Sequence, residues 1–134
     1  MPTHSEKWVA STAHGPSLDA VFKIFSCSRR REVLALLADR ELYAYVLADL
    51  VSVDPGQLSR WMKLLTSAGL VEWRSDGRTH IYGLTDLIEI SLEPPHTAIA
   101  VRTCAGELTL RFPLEDFSSV LDALHLRLGP DAGE

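Results

Sequence analysis

An α+β fold is predicted by three features of the sequence. Apolar stripes at helical spacing recur between residues 18 and 67, a hairpin signal follows them, and a second hairpin with an amphipathic stripe closes the chain. The 134 residues, 46% hydrophobic and 23% charged, suit one domain with an extension and allow a sizeable core. The longest apolar stretches run about six residues, as at 33–38, whereas a membrane helix needs roughly 20. Residues 1–10 hold no apolar core of signal-peptide length, which predicts a cytoplasmic protein with no membrane partner. Cys27 and Cys104 are too few for a disulfide scaffold and too far apart for a zinc ribbon.

Residues 1–16 hold Gly15, two prolines and a single large apolar pair, Trp8 and Val9, and read as a flexible arm. Leu18, Val21, Phe22 and Phe25 then fall at i, i+3, i+4 and i+7, the stripe of a first helix. Ser28 is positioned to cap a second helix that runs through Ala38, with Val33, Leu34 and Leu37 inward. A polar connection over 39–41 leads to a third helix over 43–50. Asp54-Pro55 starts a fourth, because Asp accepts an orphan backbone N–H and Pro is pre-set for the first turn. Along 55–67, Leu58, Trp61, Met62 and Leu65 share one face. Gly56, Arg60, Lys63 and Ser67 share the opposite face, flanked by Gln57 and Ser59. Gly69 stands at the C-cap. Val71-Glu72-Trp73-Arg74 alternates, Asp76-Gly77 supplies a tight turn, and 79–84 returns. The order helix, helix, short turn, helix and two-stranded hairpin makes residues 17–86, with the first helix ahead of it, a winged helix-turn-helix.

The extension, 87–134, begins with a short helix or linker over 87–92, broken by Pro94-Pro95. A turn at Ala105-Gly106 pairs Thr103 with Leu108, Val101 with Leu110 and Ile99 with Phe112 on one face. Arg102, Thr109, Ala100 and Arg111 take the other, and Cys104 falls opposite Glu107. Glu115 and Asp116 favour a helix N-terminus, and Phe117, Val120, Leu121, Leu124 and Leu128 make that helix amphipathic. The extension is expected to dimerise or to sense.

The net charge of −5 is unevenly placed. Residues 1–53 balance to zero, 54–82 carry +1 and 83–134 carry −6. The exposed side of the 55–67 helix offers two cations, an amide and a hydroxyl with no carboxylate, which suits a DNA major groove. Gln57 would read adenine and Arg60 guanine, with Ser59, Lys63 and the backbone N–H groups near Gly56 on phosphates. Arg74, Arg78 and His80 of the wing would meet the flanking backbone or minor groove.

The run from residue 21 to 84 resembles the ArsR/SmtB type of bacterial winged-helix repressor. The resemblance is carried by Val21-Phe22-Lys23-Ile24-Phe25, Arg29-Arg30-Arg31-Glu32-Val33-Leu34 and Leu47-Ala48-Asp49-Leu50. It is strongest in Gln57-Leu58-Ser59-Arg60-Trp61-Met62-Lys63-Leu64-Leu65 and Ala68-Gly69-Leu70-Val71. It implies a homodimer that binds palindromic operator DNA and releases it on sensing a metal, an oxidant or another small effector. Metal-sensing members carry Cys-x-Cys where this chain has Tyr43 and Tyr45, so no soft-metal site is expected. Trp61 stands where the family commonly has His, and 98–128 replaces a single C-terminal helix.

Cys27, beside Arg29, Arg30 and Arg31, is the candidate redox residue, weighed against an ordinary half-buried cysteine. Asp122 and His125 have metal-ligand spacing but read as surface residues. Tyr43 and Tyr45 are read as packing or as the wall of an effector pocket, and Met62 and the three tryptophans as core or interface. No phosphate-cradling glycine loop, nucleophile elbow or His-Glu zinc motif occurs, so neither an enzyme nor a cofactor is expected. Two alternatives to a DNA-binding repressor are a winged-helix protein-interaction module and an effector-independent DNA-binding protein.

Overall fold

The computed structural model describes residues 15–117. Expectations for 1–14 and 118–134, including most of the C-terminal amphipathic stripe and the pair Asp122 and His125, lie outside the described residues. Helix α1 spans Leu18–Phe25, with the Ser17 hydroxyl accepting the Ala20 N–H at 3.1 Å. Its buried stripe is Val21, Ile24 and Phe25, while Leu18 and Phe22 are 41% and 55% exposed. The expected stripe is thus rotated: i, i+3 and i+4 are satisfied starting from Val21 rather than Leu18.

Helix α2, Ser28–Asp39, is capped at Cys27 and not at Ser28, and no side chain serves the cap. Ser28 already stands inside the first turn. Residues 33–37 are all buried, because α2 packs between the winged-helix sheet and the C-terminal sheet. The arginines at its start hold the neighbouring helices. Arg29 Nη1 donates to the carbonyls of Val51 and Ser52, Arg30 to those of Lys23 and Ile24, and Arg31 to that of Phe25. Helix C-termini leave such carbonyls without intrahelical partners and favour cations beside them.

A two-residue strand, β1 (Leu42–Tyr43), precedes α3 (Ala44–Leu50) where the third helix was expected to start. Helix α4, Pro55–Ser67, has the predicted bounds and buried face, with Leu58, Trp61, Met62 and Leu65 in the core. It ends in paired bonds, Leu70 N–H to Leu65 O at 3.1 Å and Gly69 N–H to Thr66 O at 2.9 Å. That Schellman closure needs the left-handed φ of +81° that Gly69 adopts. Strands β2 (Val71–Asp76) and β3 (Thr79–Leu84) form the wing, and β1 adds to β3 to give the order β1-β3-β2. Asp76 pairs with Thr79, so the turn is Gly77-Arg78, one residue beyond the expected one. Gly77 has φ +68°, as a primed hairpin turn requires at its first central position.

The extension departs most from expectation. Residues 88–93 form strand β4 (Ile88–Glu93), not a helix or linker. The reason is a period of two: Ile88, Ile90 and Leu92 alternate with Glu89, Ser91 and Glu93. Around a cis Pro94-Pro95 turn it pairs with β5 (His96–Thr103), which pairs with β6 (Gly106–Pro113). The second hairpin turns at Cys104-Ala105, pairing Thr103 with Gly106, Val101 with Leu108 and Ile99 with Leu110. Register is displaced by two residues from the expected pairing, an even shift that leaves each side chain on its predicted face. Arg102, not Cys104, stands opposite Glu107. The inner face sets Ile88, Ile99 and Val101 into the same core as α1–α4.

Residues 15 and 16 belong to this contact and not to a free arm. Cys104 N–H donates to Pro16 O at 2.9 Å, and a Cβ on Gly15 (φ +86°) would collide with the Arg102 carbonyl oxygen. Phe112 stacks on Phe25 at 6.5 Å, with Arg31 lying 4.3 Å over its ring. A 3-10 turn, Leu114–Phe117, stands where the last helix was expected to begin, and Phe117 is buried.

Candidate nucleic-acid interface

Asp54 caps α4, its Oδ1 accepting the Gln57 N–H at 3.0 Å. A Cβ on residue 56 would lie 3.1 Å from that oxygen, so Gly56 leaves the carboxylate room to reach its donor. The first turn therefore holds a carboxylate where an anion was expected to sit on backbone N–H groups. Gly56 serves through its missing side chain.

On the outward face, Ser59, Arg60 and Lys63 are exposed and Gln57 is half-buried. Arg60 and Gln57, expected to read separate bases, are joined: Arg60 Nε donates to Gln57 Oε1 at 3.1 Å, and Nη2 donates to the same oxygen. One amide oxygen thus orients a guanidinium that keeps further N–H donors for an incoming acceptor. The pair forms a single hydrogen-bonded unit at i, i+3.

The wing separates the three residues assigned to it. Trp73 faces Tyr82 and Ser75 faces His80 across the ladder, which places all four on one side. His80 stacks on Trp73 at 4.3 Å with an interplanar angle of 21°, and Tyr82 OH lies 3.5 Å from its Nδ1. Arg78 is exposed in the turn. Arg74 lies on the other side of the strand, with Nη2 3.4 Å from Glu41 Oε1. A groove therefore runs between α4 and the Trp73–His80–Tyr82 side of the wing. Its two stretches, about 290 and 360 Å³, share Ser59, His80 and Tyr82, with Arg78 lining one and Lys63 the other.

Two features were not foreseen. Trp73 is the platform for His80, its diagonal neighbour across the hairpin. Tyr43 OH donates to Asp76 Oδ2, fastening the start of α3 to the end of β2. That bond and the adjacent charge raise the Tyr43 pKa above the ordinary phenol value. Tyr43 stacks on Tyr45, which lines the smaller stretch of the groove. Burial, with the negative charge of Asp86 and Glu41, also raises the Glu72 carboxyl above its usual range. Cys27 is half-buried, and the arginines beside it are committed to the carbonyls named above. Among the described residues, no group of three or more His, Cys, Asp or Glu side chains converges as a metal site. No described helix is long and apolar enough to cross a membrane.

Helices α2 to α4 followed by the β2–β3 hairpin, with a polar outer face on α4, define a winged helix-turn-helix protein of the α+β class. Residues 27–72, from the α2 cap into β2, match the family model described as bacterial regulatory protein, arsR family. This segment is an ArsR-type helix-turn-helix domain, and the chain is a DNA-binding transcriptional regulator. No curated protein matches the chain.

Proposed function

We propose that the protein is a cytoplasmic homodimeric repressor that reads a palindromic operator through α4 and the β2–β3 wing. The carrying observation is the outward face of α4, where the joined Gln57 and Arg60 stand beside Ser59 and Lys63. The Gln57–Arg60 unit reads base edges in the major groove, and Ser59 and Lys63 hold phosphates. The groove beside α4 takes one sugar-phosphate strand, with Arg78 and His80 on its far wall. Arg74 contributes through its tie to Glu41, which fixes β2 against the segment before β1. Two copies then meet half-sites roughly 34 Å apart.

Fluorescence anisotropy with the protein's own upstream DNA tests this reading. Binding is expected to weaken steeply as salt rises, since each neutralised phosphate releases counterions. Absence of salt-dependent binding to that fragment refutes it. A small effector is expected to act on the same dimer, and one that prefers the folded free protein raises its thermal transition.

A further inference from the structure

Among the described residues, strand β6 is an edge of the C-terminal sheet, whose order is β4-β5-β6. We infer that two copies of the chain join by antiparallel pairing of β6 with β6 about a two-fold axis through Thr109. The inference rests on the dimeric reading above and gives that dimer a specific surface.

The hydrogen-bond phase of the sheet sets the register. Thr103 and Gly106 flank a two-residue turn and are a mutually bonded pair, so the even-numbered residues of β6 bond to β5. The backbone groups of Glu107, Thr109 and Arg111 consequently point away from β5, to the free edge. The β4–β5 turn gives the same phase independently. Glu93 and His96 flank it, so even-numbered residues of β5 face β4, as the Arg102 N–H to Leu87 O bond at 2.7 Å bears out.

A two-fold axis through Thr109 places Thr109 opposite Thr109 and Glu107 opposite Arg111, twice. All three outward-facing residues then meet outward-facing partners, closing about six backbone hydrogen bonds. Cross-strand Thr–Thr and opposite-charge pairs are both favourable. Glu107 and Arg111 are exposed, and the present neighbour of Arg111, Glu93, is 4.0 Å away on a side chain as exposed as its own. On the inner face the same register sets Leu108 beside Leu110 and Gly106 beside Phe112, continuing the half-buried apolar row. The opposite edge offers no such match, since β4 carries Glu89 and Glu93 with no cation. From 107 to 111 the β6 edge also lacks the lysine or proline that commonly protects an open strand.

Sedimentation velocity on the full chain, with Glu107→Arg, Arg111→Glu and the double variant, tests the pairing. Each single variant sets like charges opposite one another twice, and its dimer dissociation constant is expected to rise about tenfold or more. The double variant restores both pairs and the wild-type constant. Mixing the two single variants gives a heterodimer in which every opposing pair is again of opposite sign. Thermal melts at high dilution check that each variant folds. Wild-type association by all single variants, or no rescue in the double variant and the mixture, overturns β6 pairing while the dimer itself stands. A wild-type chain that stays monomeric at concentrations where it occupies its operator overturns the dimer and the pairing together.

Discussion

Replacing Arg60 by Ala separates base reading from folding. The side chain is exposed, and its bonds to Gln57 lie on the solvent face of α4. An exposed i, i+3 contact contributes roughly 0.2–0.5 kcal/mol, so the variant is expected to keep its urea midpoint within about 0.5 kcal/mol of stability. A guanidinium on a base edge contributes about 1–3 kcal/mol of discrimination. At 1.4 kcal/mol per decade, affinity is expected to fall roughly 5- to 150-fold per half-site, and the loss counts twice for a dimer on a palindromic operator. The loss on random-sequence DNA is expected to be much smaller. Lys63→Ala provides the contrast. A lost phosphate contact weakens all sequences alike and lowers the slope of log affinity against log salt by about one unit per protomer, about two for the dimer. Anisotropy titrations of both variants at several salt concentrations, on the operator and on a scrambled duplex, give the two signatures. Equal losses by Arg60→Ala on both duplexes would refute base reading by that residue, and no loss on either would remove α4 from the interface.

Three further outcomes follow from the packing and the charges. Leu65, fully buried on α4, is expected to cost about 3 kcal/mol when cut to Ala, read from the denaturant midpoint; a change under 1 kcal/mol would contradict its place in the core. Gly15→Ala should free residues 15–16 from the second hairpin and speed hydrogen exchange at the Cys104 amide, which now donates to Pro16 O. Unchanged protection there would show that the anchor tolerates a Cβ. Glu72 has a folded-state pKa above its unfolded value, so the folded state binds the proton more tightly. Stability therefore falls as pH rises from the ordinary Glu range through the raised value. Glu72→Gln is expected to be more stable than wild type at pH 7 and to lose that advantage below the unfolded pKa. An advantage independent of pH would refute a charge origin.

Where a local rule decided the structure, the sequence was sufficient. The bounds of α4 follow from Asp54-Pro55 at one end and Gly69 at the other, and its buried face from the apolar spacing. Where two rules competed, the outcome depended on tertiary partners. The α1 stripe contains both Leu18 and Ile24 within helical reach. Anchoring of residues 15–16 on the second hairpin and of Phe25 on Phe112 selects the side that carries Ile24. Strand β4 was legible in its alternation, but six residues next to two prolines gave a weak signal beside a short helix. The turn positions were each ambiguous between neighbouring pairs. Each turn stands one residue from the expected pair, which shifts each register by two and leaves every face intact; at the wing the shift puts Ser75 rather than Trp73 opposite His80. At the interface, residue types were readable, but partners across 33 residues, Glu41 with Arg74 and Tyr43 with Asp76, were not.

Those partners alter the electrostatic reading of a chain with net charge −5. The segment 54–82 carries three carboxylates against four cations, which by count is nearly neutral. Structurally two of the three carboxylates face away from the groove and the third is held on the α4 cap. Asp54 is turned onto the Gln57 N–H, Asp76 accepts from Tyr43, and Glu72 lies on the side of the wing away from Trp73 and His80. Arg74 leaves with them, on the same far side beside Glu41. Arg60, Lys63 and Arg78 remain around the α4 groove without a carboxylate wall, so the local field there is more positive than the sequence count. The basic run Arg29-Arg30-Arg31, the densest in the chain, is spent on helix carbonyls instead. With α4 as the proposed contact surface, long-range attraction to DNA is weak in this acidic protein while that surface itself is cationic. On the proposed reading, such a division limits non-specific binding and leaves the discrimination between sites to the α4 face.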